Sequence, residues 1–316
     1  MIKKIRIGTR GSSLALWQAD AVKKSIELEY PEIDIEIVKI KTMGDKIKDV
    51  PLAKIGGKGL FLKEIEEALY KNEIDIAVHS LKDVPVILPE GLEIYATLKR
   101  EDPRDVLISK KYKNFKEFPN NAVIGTSSLR RKAQILKHNN TLIVKDCRGN
   151  VQTRLNKLRE NKYDGIILAM AGLLRLGLSN IITEVIDVDM MIPAICQGII
   201  GVEIRKNDDT AKKLLNHLND KNTHIIATAE RTFLKTLGGS CQTPIGGICK
   251  IINNTTLHMK AFISSTDGKI FISSEKLGSI QAPEQLGEAL GIELLDKGGK
   301  DVLKDFSNEY TDNQTY

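Results

Sequence analysis

The same short pattern occurs twice in this sequence, about one domain length apart. Ile7–Leu14 reads IGTRGSSL and Ile124–Leu129 reads IGTSSL. In both places an apolar strand pattern runs into glycine and serine and then into residues with helical spacing. A strand, a small-residue turn and a helix start that recur in this way favour two α/β lobes of similar design.

The remaining pattern predicts two crossings between lobes and a third domain. Arg100–Arg104, REDPR, is a polar break that suggests one crossing, and Ile199–Ile204 is a strand expected to return to the first lobe. A helix over Thr223–Leu237 and a last helix over Pro283–Lys297 then enclose short strand candidates. These candidates are Ile248–Ile252, Leu257–Ser264 and Lys269–Ser274. The predicted domains are 1–99 with 195–217, 100–194, and a small α+β domain over 218–316.

Composition limits the class of protein. With 316 residues, 41% hydrophobic and 28% charged, the chain is expected to be globular with an ample core. It has no apolar run long enough to span a membrane and no secretory signal pattern, so a cytoplasmic protein is expected. The four cysteines show neither CxxC pairing nor zinc spacing, which predicts no structural metal and no disulfide.

The distribution of charge suggests a small anionic ligand. The net charge is +6, but Lys and Glu are mixed along the chain and aromatic residues make up only 5%, which argues against nucleic acid. Five arginines of the second lobe lie at or just past predicted strand ends: Arg130, Arg131, Arg148, Arg154 and Arg175. The alternative interpretation is that these five arginines are simply exposed to solvent and bind nothing. Their shared position favours a cleft lined with guanidinium groups for several carboxylates.

The segment Ala77–Pro85, AVHSLKDVP, follows a predicted buried strand and places Ser80, Lys82 and Asp83 at its end. In open α/β sheets, ligands bind beyond the carboxyl ends of the strands. Arg10 has the corresponding place in the first repeat, where a helix start suits a carboxylate or a phosphate. Asp83 taken alone could simply cap a turn.

Several motifs, occurring in one order, carry a family resemblance. They are KIGGKGLFLKEIE, AVHSLKDVP, IGTSSLRRKAQIL, RGNVQTRLNKL and AERTFLKTLGGSCQTPIG. Together they resemble the porphobilinogen deaminase family, also called hydroxymethylbilane synthase, over nearly the whole chain. The resemblance implies two α/β lobes like those of type II periplasmic binding proteins, plus a small α+β third domain. It also implies a transferase of haem and porphyrin biosynthesis that condenses four porphobilinogen molecules head to tail, releases ammonia at each step and hydrolyses the product to hydroxymethylbilane.

The resemblance further implies roles for individual residues. Asp83 is the catalytic carboxylate, and Cys241 carries a dipyrromethane cofactor through a thioether. Cofactor contacts fall on Lys82, Ser128, Arg130, Arg131, Ser80 and Gly149. Substrate contacts fall on Arg10, Arg148, Arg154, Arg175 and Asn150, and Lys54 and Lys58 match lysines of a mobile loop near the site. The family expectation is a monomer that uses no metal, nucleic acid or membrane.

The chemistry of the substrate explains these residue types. Porphobilinogen carries acetate and propionate groups, which guanidinium forks hold in register. Loss of ammonia and attack by the next pyrrole create cations, and a buried carboxylate such as Asp83 can stabilise them and move protons. His79 has no acid/base partner among its neighbours in sequence and is interpreted as structural. Cys196 departs from the family pattern and would be a second thiol near the cleft.

Two other functions stay open on the residues alone. One is a non-catalytic anion receptor with two lobes, since the fold would permit it. The other is a nucleic-acid binder that uses the arginine-rich segments, and it predicts salt-sensitive binding. Ammonia release from porphobilinogen would distinguish the enzyme from both.

Overall fold

The structure is a computed structural model that describes residues 4–46, 62–238 and 243–311. Lys54 and Lys58 of the predicted loop lie outside these residues, as does the predicted anchor Cys241. Within the described ranges, no helix combines the length and apolar composition needed to cross a membrane.

A five-stranded sheet forms the first lobe. Its strands are β1 (Lys4–Arg10), β2 (Asp34–Ile40), β3 (Ile76–Ser80), β4 (Leu92–Thr97) and β10 (Ile200–Arg205). The order is β2-β1-β3-β10-β4. β1 is parallel to β2 and β3, whereas β10 is antiparallel to β3 and β4. The strand predicted to return to the first lobe therefore does so, and it lies inside the sheet.

Helices cover both faces of this sheet. They are α1 (Ser13–Glu29), α2 (Met43–Lys46), α3 (Lys63–Tyr70) and α7 (Asp209–Leu215). Apolar residues of α1 and α7 form one core cluster with Ile76, Val78 and Val202, and those of α3 form another with Ala77. α1 begins where the sequence predicts, because the Ser12 hydroxyl accepts a hydrogen bond from the Ala15 N–H.

The second lobe repeats this arrangement. Its strands are β5 (Asp105–Ser109), β6 (Val123–Gly125), β7 (Ile143–Lys145), β8 (Gly165–Ala169) and β9 (Glu184–Val185). Its helices are α4 (Leu129–His138), α5 (Val151–Arg159) and α6 (Met170–Arg175). The order is β7-β6-β8-β5-β9, with β6 parallel to β7 and β8, and β5 antiparallel to its neighbours. The equivalent order and directions confirm two α/β lobes of similar design.

A small α+β domain completes the fold, as predicted. Its antiparallel sheet contains β11 (Ile245–Ile251), β12 (Thr256–Ser264) and β13 (Phe271–Ser279). Its helices are α8 (Lys221–Thr236), α9 (Pro283–Leu294) and α10 (Lys300–Thr311). The predicted last helix to Lys297 instead ends at Leu294, because Gly298 has a φ of +106° within the π-turn Leu295–Gly299 that leads to α10. Single 3₁₀ turns occupy Leu81–Asp83, Phe115–Glu117, Ser179–Ile181 and Asn216–Leu218.

The chain divides into two compact units. One comprises the described residues up to Glu101 together with Gly198–Ile225, and the other comprises Asp102–Gln197 together with the described residues from Ile226 onward. The small domain thus groups with the second lobe. The domain boundaries drawn from the sequence stay predictions.

Candidate active site

The first-lobe candidates lie at one edge of their sheet. β1 and β3 are parallel neighbours, so their carboxyl ends meet there. Arg10 is the last residue of β1 and Ser80 the last of β3. Lys82 and Asp83 lie on the 3₁₀ turn that follows β3 directly. The parallel pairing therefore brings together four residues that the sequence placed at strand ends.

The turn after β3 is tied to the start of β10. The Leu81 N–H donates to the carbonyl of Ile199 at 2.9 Å, and Val84 N–H closes the turn on the Leu81 carbonyl at 3.2 Å. Leu81 is buried, Lys82 is half-buried and Asp83 is exposed. The expectation of a buried Asp83 carboxylate is wrong for this structure, because the turn buries its first residue instead.

Polar side chains hold the end of β3 on both faces of the sheet. Gln18 Nε2, from α1, donates to Ser80 Oγ at 2.8 Å. On the opposite face His79 Nε2 lies 2.8 Å from Glu203 Oε2, and both side chains are buried. His79 therefore has an acidic partner that its neighbours in sequence did not reveal. Its partner comes from β10, 124 residues further along the chain.

Glu66 on α3 belongs to the same buried surroundings. Burial, followed by the electrostatic influence of Glu203, raises the pKa of Glu66 to about 7, and the influence of His79 opposes this shift. Glu203 Oε1 has no hydrogen-bond partner among the described residues. An acidic group thus accompanies the His79–Glu203 pair on the α3 face of the sheet.

The second-lobe candidates follow strands that end at one sheet edge. β7, β6 and β8 are parallel neighbours, so the segments that follow them emerge together. These segments hold Ser128, Arg130 and Arg131 after β6, Arg148, Gly149, Asn150 and Arg154 after β7, and Arg175 after β8. The shared position inferred from the sequence is what the topology produces.

Two helices begin at this edge, and the N-terminus of each can bind an anion. Ser128 Oγ accepts from the Arg131 N–H at 3.4 Å and caps α4, and Asn150 Oδ1 accepts from the Thr153 N–H at 2.9 Å and caps α5. Neither helix has an acidic residue in its first turn. Gly149 has a φ of +106°, which suits glycine, and its carbonyl accepts from Arg154 Nε at 2.8 Å. Carboxylates are stabilised at such positions.

Asp105 organises two of the arginines. Its carboxylate lies 2.7 Å from Arg131 Nη2 and 2.8 Å from Arg130 Nη1, and Gln197 Nε2 donates to it at 2.9 Å. All four residues are buried. Burial opposes the charge on Asp105, but the two guanidinium groups outweigh it and hold the pKa of that carboxyl below its usual range. We did not predict Asp105 or Gln197 as part of the site, although an aspartate opening a buried strand was a visible signal.

The cysteines among the described residues are buried thiols: Cys147, Cys196 and Cys249. Cys196 has a φ of +59°, and its N–H donates to Glu230 Oε2 at 2.6 Å. Glu230 Oε1 accepts from the Cys249 N–H at 2.7 Å, so one carboxylate on α8 joins β11 to the end of the second lobe. Buried thiols of this kind are inert, and Cys196 has a backbone role. In the described part of the chain, no group of three His, Cys, Asp or Glu side chains could hold a metal ion.

Comparisons with known proteins give one family. The family model for "Porphobilinogen deaminase, dipyromethane cofactor binding domain" matches residues 5–213, and the model for the C-terminal domain of that enzyme matches residues 224–296. The porphobilinogen deaminase of Trichlorobacter lovleyi is 51% identical over 303 residues, which cover 96% of each chain. That of Carboxydothermus hydrogenoformans is 49% identical over 309 residues, covering 98% of this chain and 99% of its own.

Among solved structures, a periplasmic substrate-binding protein of an ABC transporter from Coxiella burnetii matches 68% of this chain and 91% of its own. Its sequence identity is 15% and the TM-score is 0.44. The two family models, by contrast, cover most of the chain, and the relatives named above align over nearly all of it. The chain therefore belongs to the porphobilinogen deaminase family.

Proposed function

We propose that Asp83 is the catalytic carboxylate of this enzyme and that arginines at the strand ends hold the acidic groups of its substrate. As a family member, the chain is a transferase of tetrapyrrole biosynthesis that polymerises porphobilinogen to hydroxymethylbilane. The observation that carries the assignment of Asp83 is its place on the turn directly beyond β3, at the same sheet edge as Arg10. There its exposed carboxylate is accessible to a substrate.

The second lobe offers groups that fit the family's dipyrromethane cofactor. Ser127 Oγ and Arg130 Nε are buried without a hydrogen-bond partner among the described residues. Because such atoms are costly to leave unsatisfied, an acidic ligand at this edge is a suitable partner. The residues proposed to hold the cofactor are Cys241 as thioether anchor, with Lys82, Ser80, Ser128, Arg130, Arg131 and Gly149. When bound, the cofactor supplies the pyrrole carbon from which the product chain grows.

Asp83 has two tasks in each condensation. A carbon–carbon bond forms between two pyrroles, ammonia leaves the aminomethyl group of one, and a proton leaves the α-carbon of the other. The carbon that loses ammonia becomes electron-poor, and a fixed carboxylate lowers the energy of that positive charge. The same carboxylate can accept the departing proton. Lys82, adjacent and half-buried, offers a positive charge to an acidic side chain of the substrate or cofactor.

The proposed substrate contacts are Arg10, Arg148, Arg154, Arg175 and Asn150, and we add Lys54 and Lys58 of the predicted loop, which lie outside the described residues. Porphobilinogen brings an acetate and a propionate, and planar guanidinium groups bind carboxylates through two parallel hydrogen bonds. Arg130 and Arg131 are held by Asp105, so their orientation is fixed before a ligand arrives. Such preorganisation reduces the entropy lost on binding.

We further propose that the enzyme acts as a monomer in the cytoplasm without nucleic acid. The mixing of Lys and Glu along a chain of net charge +6 supports the last point. Light scattering on the purified protein should give a mass near 35.1 kDa, and a mass of twice this value would contradict the monomer.

The function is tested first by intact mass under denaturing conditions. The wild-type protein should carry an excess equal to two linked porphobilinogen units, and Cys241→Ala should not. An unmodified wild-type protein that stays unmodified after incubation with porphobilinogen would contradict the cofactor assignment.

A second test isolates the carboxylate. Asp83→Asn should retain the cofactor mass but lose about 10²-fold or more in turnover, since general acid–base groups contribute on this order. Glu90→Gln, an exposed carboxylate on the same lobe, is the matched control and should keep wild-type turnover. Wild-type rates in Asp83→Asn would refute the role of this residue.

A further inference from the structure

The His79–Glu203 pair lies on the α3 face of the first-lobe sheet, among apolar residues and beside Glu66. Glu203 pairs in register with Ala77, and His79 pairs with Gly201, so the two polar side chains meet diagonally across neighbouring strands on the α3 face. Around them this face is filled by apolar residues of α3 and of the neighbouring strands. Glu203 is 0% exposed and His79 is 7% exposed.

Such a pair is a poor way to stabilise a sheet. Burying two polar, titratable groups costs about as much free energy as their interaction returns, and apolar side chains of similar size often serve stability as well or better. Glu203 also keeps one oxygen without a hydrogen bond in the described part of the chain. The geometry of the pair, rather than its energy, is therefore what it contributes.

That geometry acts on the end of β3. His79 is the residue before Ser80, which Gln18 holds from the opposite face. Leu81, which follows Ser80, donates its N–H to the carbonyl of Ile199, the residue directly before β10. Directed contacts thus fix three consecutive residues, and the turn with Lys82 and Asp83 begins at the last of them.

We propose that Glu203 is a positioning residue for the reaction: through His79 it fixes the end of β3 and hence the placement of Asp83. The inference rests on the proposed catalytic role of Asp83. It assigns to a buried residue on β10 a function in turnover, although Glu203 contacts neither substrate nor cofactor in this scheme. A displacement of about 1 Å in a reacting group can lower the rate by about 10²-fold, so loss of the pair should appear mainly in kcat.

The test replaces the pair by apolar side chains of similar size, in the double variant Glu203→Met/His79→Phe. The full-length, cofactor-loaded protein should fold and carry the cofactor mass, while kcat falls by about 10- to 100-fold and KM changes little. Glu203→Leu, which keeps a side chain of similar size but cannot hydrogen-bond to His79, should lower kcat in the same direction. It is the variant to use if the double variant does not fold.

Val202→Ala is the matched control. Val202 is 0% exposed on the opposite face of the same strand, so its truncation loosens β10 without touching His79. We expect a lower melting temperature with wild-type kcat. Wild-type kcat in either folded Glu203 variant, or an equal fall in kcat in Val202→Ala, would overturn the inference.

Asp83→Asn measured in parallel separates the two proposals. If Asp83→Asn is inactive and the Glu203 variants are normal, the positioning role fails while the role of Asp83 stands. If Asp83→Asn turns over normally, the proposed function of Asp83 fails and the positioning role fails with it.

Discussion

Asp105→Asn is expected to destabilise the protein by about 3–5 kcal/mol, because it leaves two buried guanidinium groups without their counter-charge. The wild-type carboxylate lies 2.7 Å from Arg131 Nη2 and 2.8 Å from Arg130 Nη1, and it is 0% exposed. Asparagine keeps one oxygen but presents an amide group to the arginines. Since whole domains are stable by only about 5–15 kcal/mol, the loss is a large fraction of the total.

Urea denaturation measures this difference. With an m-value of about 2 kcal/mol/M, the midpoint of Asp105→Asn should fall by about 1.5–2.5 M. Glu160→Gln is the control, because Glu160 also makes a 2.7 Å ion pair, with Lys162, but both side chains are more than half exposed. An exposed pair of this kind contributes about 0–1 kcal/mol. Equal midpoints for the two variants would refute the argument that burial makes the difference.

The dependence of stability on acidic pH tests the charge of the Asp105 carboxylate. The pKa of Asp105 is held below its usual range by the two arginines, so its contribution to stability is present above the ordinary carboxyl pKa of about 4. That contribution should disappear as the pH falls below this value toward the folded-state pKa. The stability of Asp105→Asn should lack this component, and an unchanged acid dependence in the variant would contradict the assignment.

Three further changes probe other contacts. The pKa of Glu66 is raised to about 7, so the protonated carboxyl stabilises the folded state at low pH. The free energy of unfolding of the wild-type protein should therefore fall by about 1–2 kcal/mol between about pH 5 and about pH 8, a value reduced for partial exposure. Urea denaturation at both pH values measures this fall, which Glu66→Gln should not show. Gly268→Ala would place Cβ 2.3 Å from the Ala133 carbonyl at a φ of +74° and should cost about 2–4 kcal/mol in thermal unfolding. Gly177→Ala, with a φ of +68° and open space, should cost only about 1 kcal/mol. Asn150→Ala should lose about 1 kcal/mol by the same measurement and Asn150→Asp much less, because only the latter keeps the cap; equal losses would count against capping.

The fold could be predicted where structure is local. The IGT segments end a strand and begin a helix by their own sequence, and the return strand predicted over Ile199–Ile204 corresponds to β10 because most residues of that segment are apolar. β13 was predicted to end at Ser274 because the following residues are mostly polar. It continues to Ser279 because each of its residues pairs with β12. Only the register of the partner strand contains that information.

The site divides in the same way. Residues at strand ends could be identified because strand exits are visible in sequence, and parallel pairing then brought them together. The residues that hold these side chains in place could not be identified from the sequence, because Glu203 is 124 residues from His79 and Asp105 is 26 residues from Arg131. Asp83 is exposed because the turn buries Leu81 instead, and the local sequence does not reveal which residue of the turn is buried.

The insertion of β10 between β3 and β4 determines the order in which this chain can fold as it leaves the ribosome. β3 and β4 are synthesised early, yet the strand that joins them is made only after the entire second lobe. The second lobe, whose five strands are continuous in sequence, can close first. Until residues 200–205 emerge, the nascent first lobe displays two unpaired strand edges, a state in which chains aggregate and chaperones bind. The Asp83 turn, which needs Ile199 and Glu203, can thus be completed only after the second lobe has been synthesised.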